Sequence, residues 1–142
     1  MKIKVKKLHS DAIIPQYQSA EAAGFDLHAY EDCTLQPGQR VLVGTALAMA
    51  LEPGYELQIR PRSGLAYKHG ITVLNAPGTV DSDYRGEIKV LLINHSDEVF
   101  TITKGERIAQ GVVKEVIVAT MHEVQSLQET ERGESGFGST GR

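Results

Sequence analysis

Three segments of the 142-residue sequence carry side chains suited to anions and water. Gly78-Thr79-Val80-Asp81-Ser82-Asp83-Tyr84-Arg85-Gly86 places two carboxylates, a phenol and a guanidinium in one turn. An Asp-x-Asp pair can ligate a cation or activate a water, and the same residues stabilise turns through their own backbone. Pro61-Arg62-Ser63-Gly64-Leu65-Ala66 sets Arg62 and Ser63 at the entry to a short helical stretch, where free N–H groups and the positive dipole end attract anions. Plain capping beside a surface arginine explains the same residues. Gly136-Phe137-Gly138-Ser139-Thr140-Gly141 matches G-x-G-x-x-G, but only Arg142 follows it. The dinucleotide fingerprint needs a following helix and an acidic residue about 20 positions on, so that reading is set aside. Unobstructed backbone amides, two hydroxyls and nearby Arg132 remain as donors for phosphate oxygens, with Phe137 as a flat face for a base. An unordered polar tail accounts for the same composition.

Other chemistries lack their signatures. His9, His28, His69, His95 and His122 show no H-x-x-x-H spacing for zinc. No G-x-S-x-G elbow occurs, Ser63 has no evident base, and no Gly-Lys dipeptide exists for a Walker loop. Three loops with phosphate-type donors, one adding a carboxylate and one a stacking ring, together describe a nucleotide-polyphosphate site.

The elements that must position these loops have period two. From Val41 to Leu51 the odd positions are Val41, Val43, Thr45, Leu47, Met49 and Leu51, and the even ones are mostly Gly or Ala. This predicts a strand with one bulky and one small, tightly packed face. Tyr55, Leu57 and Ile59 continue the alternation, and Ile88 to Ile93 reads as a strand buried on both faces. Val99 to Ile102 and Ile108 to Val118 look similar, with Gly111 as a bulge or close approach. Pro37-Gly38, Pro53-Gly54 and Pro77-Gly78 suit type II turns. Ser63 to His69 is the internal stretch able to form a short helix, with Ser63 as N-cap and Gly70 as the left-handed C-terminal residue. Many short strands so punctuated predict an all-β sandwich, jelly roll or barrel.

Composition bounds the rest. Gly is abundant at 14 residues and Trp absent, while 41% hydrophobic and 23% charged residues are ordinary for one globular domain. The formal charge of −3 argues against a broad nucleic-acid or anionic-membrane surface. The single Cys33 points to a reducing, cytoplasmic setting, and no apolar run approaches the roughly 20 residues of a membrane span. The expected organisation is a single domain over residues 1–142, a core over about 1–125 and a flexible Gly-rich arm over about 126–142.

At this level of detail the chain resembles the trimeric dUTP diphosphatases (dUTPases) along essentially its whole length. Their five motifs stand in order at Ala23-Gly24-Phe25-Asp26-Leu27, Pro61 to Ala66, Gly78 to Gly86, Gly105-Glu106-Arg107-Ile108-Ala109-Gln110, and Arg132 to Gly141. Ser135 departs from the family's usual Gly and removes no contacting group. The resemblance implies a distorted jelly-roll (β-clip) homotrimer with shared active sites that hydrolyses dUTP to dUMP and pyrophosphate with Mg²⁺. Such an activity keeps uracil out of DNA and supplies dUMP for thymidylate synthesis.

By position, the resemblance makes Asp81 the catalytic base and Tyr84 the platform under the deoxyribose. Asn75 and the hairpin backbone of Gly78, Thr79 and Val80 through Lys89 would read uracil. Arg62, Ser63, Gly64 and Gln110 would hold phosphates from one side. Arg132, Phe137, Gly138, Ser139 and Thr140 would close from the other, with Asp26 a supporting carboxylate. Mg²⁺ is expected on the substrate phosphates and water rather than on protein ligands. The fold-sharing dCTP deaminases and a non-catalytic nucleotide-binding or protein-binding trimer are the alternatives. Neither nucleic acid nor a membrane is expected as a partner.

Overall fold

Short apolar alternations interrupted by Pro–Gly turns cannot sustain long helices, and the chain spends them on strands. In a computed structural model, which describes residues 1–141, these are β1 (Lys4–Lys7), β2 (Phe25–His28), β3 (Cys33–Leu35), β4 (Arg40–Ala50) and β5 (Tyr55–Arg60). Helix α1 (Ser63–His69) follows, then β6 (Ile71–Val73), β7 (Gly78–Val80), β8 (Glu87–Asn94), β9 (Phe100–Ile102) and β10 (Arg107–Glu115). Two four-stranded sheets, ordered β1-β4-β8-β6 and β2-β10-β5-β7, and a β3-β9 pair form a jelly-roll-type all-β architecture. Every pairing is antiparallel. Leu27, Leu35, Leu57, Val90, Leu92 and Ile102, all fully buried, draw the core from all three sheets.

The long strand β4 differs from a simple two-faced strand. Its pairing with β8 shifts register between Gly44 and Ala48, and Ala46 takes φ 56°. Thr45 through Met49 are therefore buried on successive positions rather than alternately, because a bulge re-aims the chain locally. In β8 only one face is fully covered: Ile88, Val90 and Leu92 are buried, whereas Leu91 and Ile93 are half-buried. Gly111 is the expected close approach, since a Cβ there would lie 2.6 Å from the Phe25 ring. The irregularity of β10 lies instead between Arg107 and Ala109. Strand β10 stops at Glu115, leaving Ile117 and Val118 exposed beyond it.

The turns follow the sequence with two corrections. Gly38 (φ 76°), Gly54 (φ 90°) and Gly70 (φ 65°) occupy the left-handed region that glycine tolerates best. Gly78 does not, because it already belongs to β7 after the cis Ala76–Pro77 bond. Ser63 is the first helical residue and not the cap: Arg62 holds the N-cap position with extended backbone and no side-chain capping bond. Among the described residues no helix is long and apolar enough to cross a membrane.

Candidate active site

Strand pairing brings the first, second and fourth of the five motif segments to one end of the β2-β10-β5-β7 sheet. Gln110 on β10 faces Asp26 of β2 on one side and Arg60 of β5 on the other. Its amide Nε2 donates to the Pro61 carbonyl at 3.0 Å, and Gly24 leaves the room its Oε1 occupies, since a Cβ there would be 2.8 Å away. Gln110 thus ties both neighbouring motifs to its own strand.

Asp26 organises the charge. Its Oδ1 lies 3.1 Å from Arg62 Nε and its Oδ2 3.6 Å from Arg107 Nη1. Arg62 also donates to the Arg107 carbonyl at 3.3 Å. One half-buried carboxylate therefore sits between two guanidinium groups, leaving net positive charge beside the start of α1. Ser63 and Gly64 lie exposed in that first turn. Two residues along β2 from Asp26, His28 is half-buried and its Nδ1 has no hydrogen-bond partner among the described residues. Burial pushes this imidazole below its ordinary value of 6.5, against the pull of Asp26, so it adds no cation to the cluster at neutral pH.

The third segment forms a separate cleft of about 290 Å³, lined by Leu42, Thr79, Val80, Asp81, Tyr84, Glu87, Ile88 and Lys89. The loop between β7 and β8 is built to hold Tyr84. The phenol donates to the Glu87 carbonyl at 3.1 Å, and a Cβ on Gly86 would collide with the ring. Arg85 Nη1 donates to the Ser82 and Tyr84 carbonyls at 2.7 and 2.9 Å, so this arginine is spent on the turn itself. Asp81 is exposed and enters no salt bridge among the described residues. An unpaired, accessible carboxylate retains its lone pairs for a water proton. Asn75 is exposed beside Gly78, the glycine whose Cβ would lie 3.4 Å from its Nδ2.

The fifth segment stands apart. Arg132, Phe137, Gly138, Ser139 and Thr140 share a cleft lined by arm residues alone, and Arg142 lies outside the described residues. Phe137, at φ 51°, is fully exposed. Local turns hold the loop, with Arg132 Nε donating to the Ser135 carbonyl at 3.0 Å and Ser139 N–H to the Gly136 carbonyl at 3.1 Å.

The expected site residues thus fall into three groups within one chain: Asp26, Arg62, Ser63, Gly64 and Gln110; the loop and strand residues around Asp81; and the arm. Sequence reasoning gave no role to the Arg107 side chain, although it stands in the fourth motif, nor to the Glu87 carboxylate or the bare Cα of Gly86, whose contacts are visible only once the loop is folded.

Comparison with known proteins bears on the family and the fold. The dUTPase family model matches residues 10–141. The deoxyuridine 5'-triphosphate nucleotidohydrolase of Nautilia profundicola is 66% identical over 142 residues, covering 100% of both chains. That of Wolinella succinogenes is also 66% identical, covering 100% of this chain and 95% of its own. Among solved structures, a Staphylococcus bacteriophage 80alpha dUTPase with dUpNHpp superposes with a TM-score of 0.91 at 26% identity, over 99% of each chain. By its motifs, its topology and these relatives, the chain belongs to the dUTPase family.

Proposed function

We propose that this protein hydrolyses dUTP to dUMP and pyrophosphate, with Asp81 drawing the proton from a water that attacks the α-phosphorus. The observation that carries the reading is the cleft in which an exposed, unpaired Asp81 lies beside a clamped Tyr84. A phosphoanhydride needs an in-line water and charge neutralisation more than covalent help. Tyr84, fixed by its hydroxyl and by Gly86, is a flat support for a deoxyribose, and Asn75 with the Gly78–Lys89 backbone supplies donors and acceptors for uracil. Arg62, held by Asp26, and Gln110, Ser63 and Gly64 face the phosphates. Arg132, Phe137, Gly138, Ser139 and Thr140 close the site as an arm over about residues 126–142, leaving a core over about 1–125.

The donor set suits a Mg²⁺ that arrives with the substrate. Asp26, the carboxylate among the phosphate-facing donors, has both oxygens turned to guanidinium groups. Triphosphate oxygens and water would hold the ion, with no direct protein ligand; when bound it offsets phosphate charge. Each pocket is proposed to be shared within a homotrimer. In support, the arm cleft touches none of the other motif residues, and Ile117, Val118, Met121 and Leu127 are each more than 85% exposed, an apolar stretch that a neighbouring chain would cover. A reducing cytoplasm suits the free thiol of Cys33.

The test is incubation of the protein with dUTP and with dCTP. Pyrophosphate and dUMP from dUTP are expected; ammonia from dCTP with dUTP left intact would replace this reading with deamination. Solution mass on the same sample reads the trimer.

A further inference from the structure

The bulge in β4 and the loop that carries Tyr84 meet at one side chain. Glu87, the first residue of β8, is half-buried. Its Oε1 accepts the N–H of Ala46 at 2.9 Å. Ala46 is fully buried and holds φ 56°, a conformation costly for any residue with a Cβ, so its amide has nowhere else to turn. A second bond, from Thr45 Oγ1 to the Ile88 carbonyl at 2.7 Å, ties the same bulge to the next residue of β8. The Glu87 carboxylate also seats against the bare Cα of Gly44, where a Cβ would fall 2.5 Å from Oε1. Its other oxygen faces Lys89 Nζ at 3.7 Å. The Glu87 main-chain carbonyl, meanwhile, is the acceptor that anchors the Tyr84 hydroxyl at 3.1 Å.

We propose that Glu87 is a positioning residue that sets sugar selectivity: its carboxylate, locked onto the Ala46 amide, fixes the carbonyl that holds Tyr84 and hence the space left at the 2′ carbon. The inference rests on the dUTP reading, in which Tyr84 supports the deoxyribose. Without the carboxylate, the buried Ala46 N–H loses its partner and the bulge relaxes to find another. The start of β8 moves with it, carrying the phenol's anchor. A shift of a fraction of an ångström there admits a hydroxyl that the wild-type fit excludes. Asp81 sits six positions earlier in the chain and the phosphate-facing donors lie at the start of α1 and on β10, so the loss falls on discrimination before it falls on chemistry.

The experiment compares kcat/KM for dUTP and for UTP in the full-length wild type, Glu87→Ala, Glu87→Gln, Gly44→Ala and the Glu87→Ala/Gly44→Ala double variant. Glu87→Ala is expected to lower the dUTP:UTP ratio by about ten- to a hundredfold, the scale on which small misplacements act. Glu87→Gln, whose amide oxygen still accepts from Ala46, should keep the wild-type ratio. Gly44→Ala, which expels the carboxylate while leaving Glu87 in the chain, should reproduce the loss, and the double variant should lose no more than either single change. The Gly44→Ala single variant also keeps the test alive if Glu87→Ala fails to fold. A merely structural role would lower both activities together, and an unchanged ratio in folded Glu87→Ala or Gly44→Ala overturns the proposal. Loss of the ratio in Glu87→Gln overturns it as well. A wild type that leaves dUTP intact refutes the parent reading instead, a result distinct from an unchanged ratio in an active enzyme.

Discussion

Asp26 Oδ1 lies 3.1 Å from Arg62 Nε, with only 15% of the Asp26 side chain and 28% of the Arg62 side chain exposed. A charge-assisted bond in that partly shielded setting fixes the direction of the guanidinium as well as its charge. Arg62 has no capping hydroxyl or acidic first turn to orient it in α1, so the carboxylate across the sheet does this instead. Asp26→Asn keeps an acceptor but loses the charge that also faces Arg107. It should lower kcat/KM for dUTP by about ten- to thirtyfold, corresponding to about 1.4–2 kcal/mol of lost positioning. Steady-state kinetics with a parallel melting curve checks it, and an unaltered kcat/KM would show that Arg62 needs no such support.

Asp81, as the proposed base, allows binding to be read apart from chemistry. Being exposed and outside every salt bridge among the described residues, it can be neutralised with little cost to the fold. Asp81→Asn should retain affinity for a non-hydrolysable dUTP analogue while turnover falls by about 10²–10⁴-fold, the range for loss of a general base. Calorimetric titration beside turnover measurement reads both quantities. Wild-type turnover in this variant would remove Asp81 from the role of base.

Much of this was legible in the sequence because it depends on local rules. Pro–Gly pairs announced the turns at Gly38 and Gly54, and Gly70 announced the end of α1, since each needs a left-handed backbone. The motif residues were legible by type. What escaped was set by contacts between strands far apart in the chain. The β4 bulge depends on Glu87 reaching Ala46 across 41 positions, so alternation alone predicts a regular strand. Arg62 rather than Ser63 caps α1 because Arg62 is held extended while it reaches Asp26 and Arg107. The outer face of β8 read as buried because Leu91 and Ile93 are apolar, yet one chain leaves them half-covered.

A second ionic cluster fastens the N-terminal loop to the turn before β10. Lys104 Nζ contacts Asp11 Oδ2 at 2.7 Å and lies 4.1 Å from the centre of the Tyr30 ring, whose hydroxyl donates to Asp11 Oδ1 at 2.7 Å. The Lys104 and Tyr30 bonds hold the Asp11 carboxyl at about 2, below its ordinary 3.8. Because the folded-state value is the lower one, the unfolded chain binds more protons between them, and stability drops as pH is lowered through that interval. The contribution is complete above about pH 4 and lost as pH approaches 2. Asp11→Asn should flatten this part of the acid limb in urea melts taken from pH 5 to pH 2, leaving stability at pH 7 only slightly lowered because the cluster is solvent-exposed. An acid limb identical to wild type would remove Asp11 from it.

The arm offers the most direct view of closure. Short-range bonds join Arg132 to Ser135, Ser139 to Gly136 and Gly141 to Gly138 within the segment, and none of its described residues belongs to the buried core. Removing the chain from Arg132 onward should therefore leave the melting temperature within about 2 °C of wild type, since surface changes outside core features shift stability by only a few tenths of a kcal/mol. Turnover should fall by about a hundredfold or more, because the donors of Arg132, Ser139 and Thr140 and the water-excluding ring of Phe137 leave together. The chain contains no Trp, so Phe137→Trp places a single indole reporter at the fully exposed tip. On titration with a non-hydrolysable dUTP analogue its emission should shift to the blue as the ring leaves water to cover the base. Emission that stays at the solvent-exposed maximum at saturating analogue, or full turnover in the truncated enzyme, would mean that the arm does not close over the nucleotide.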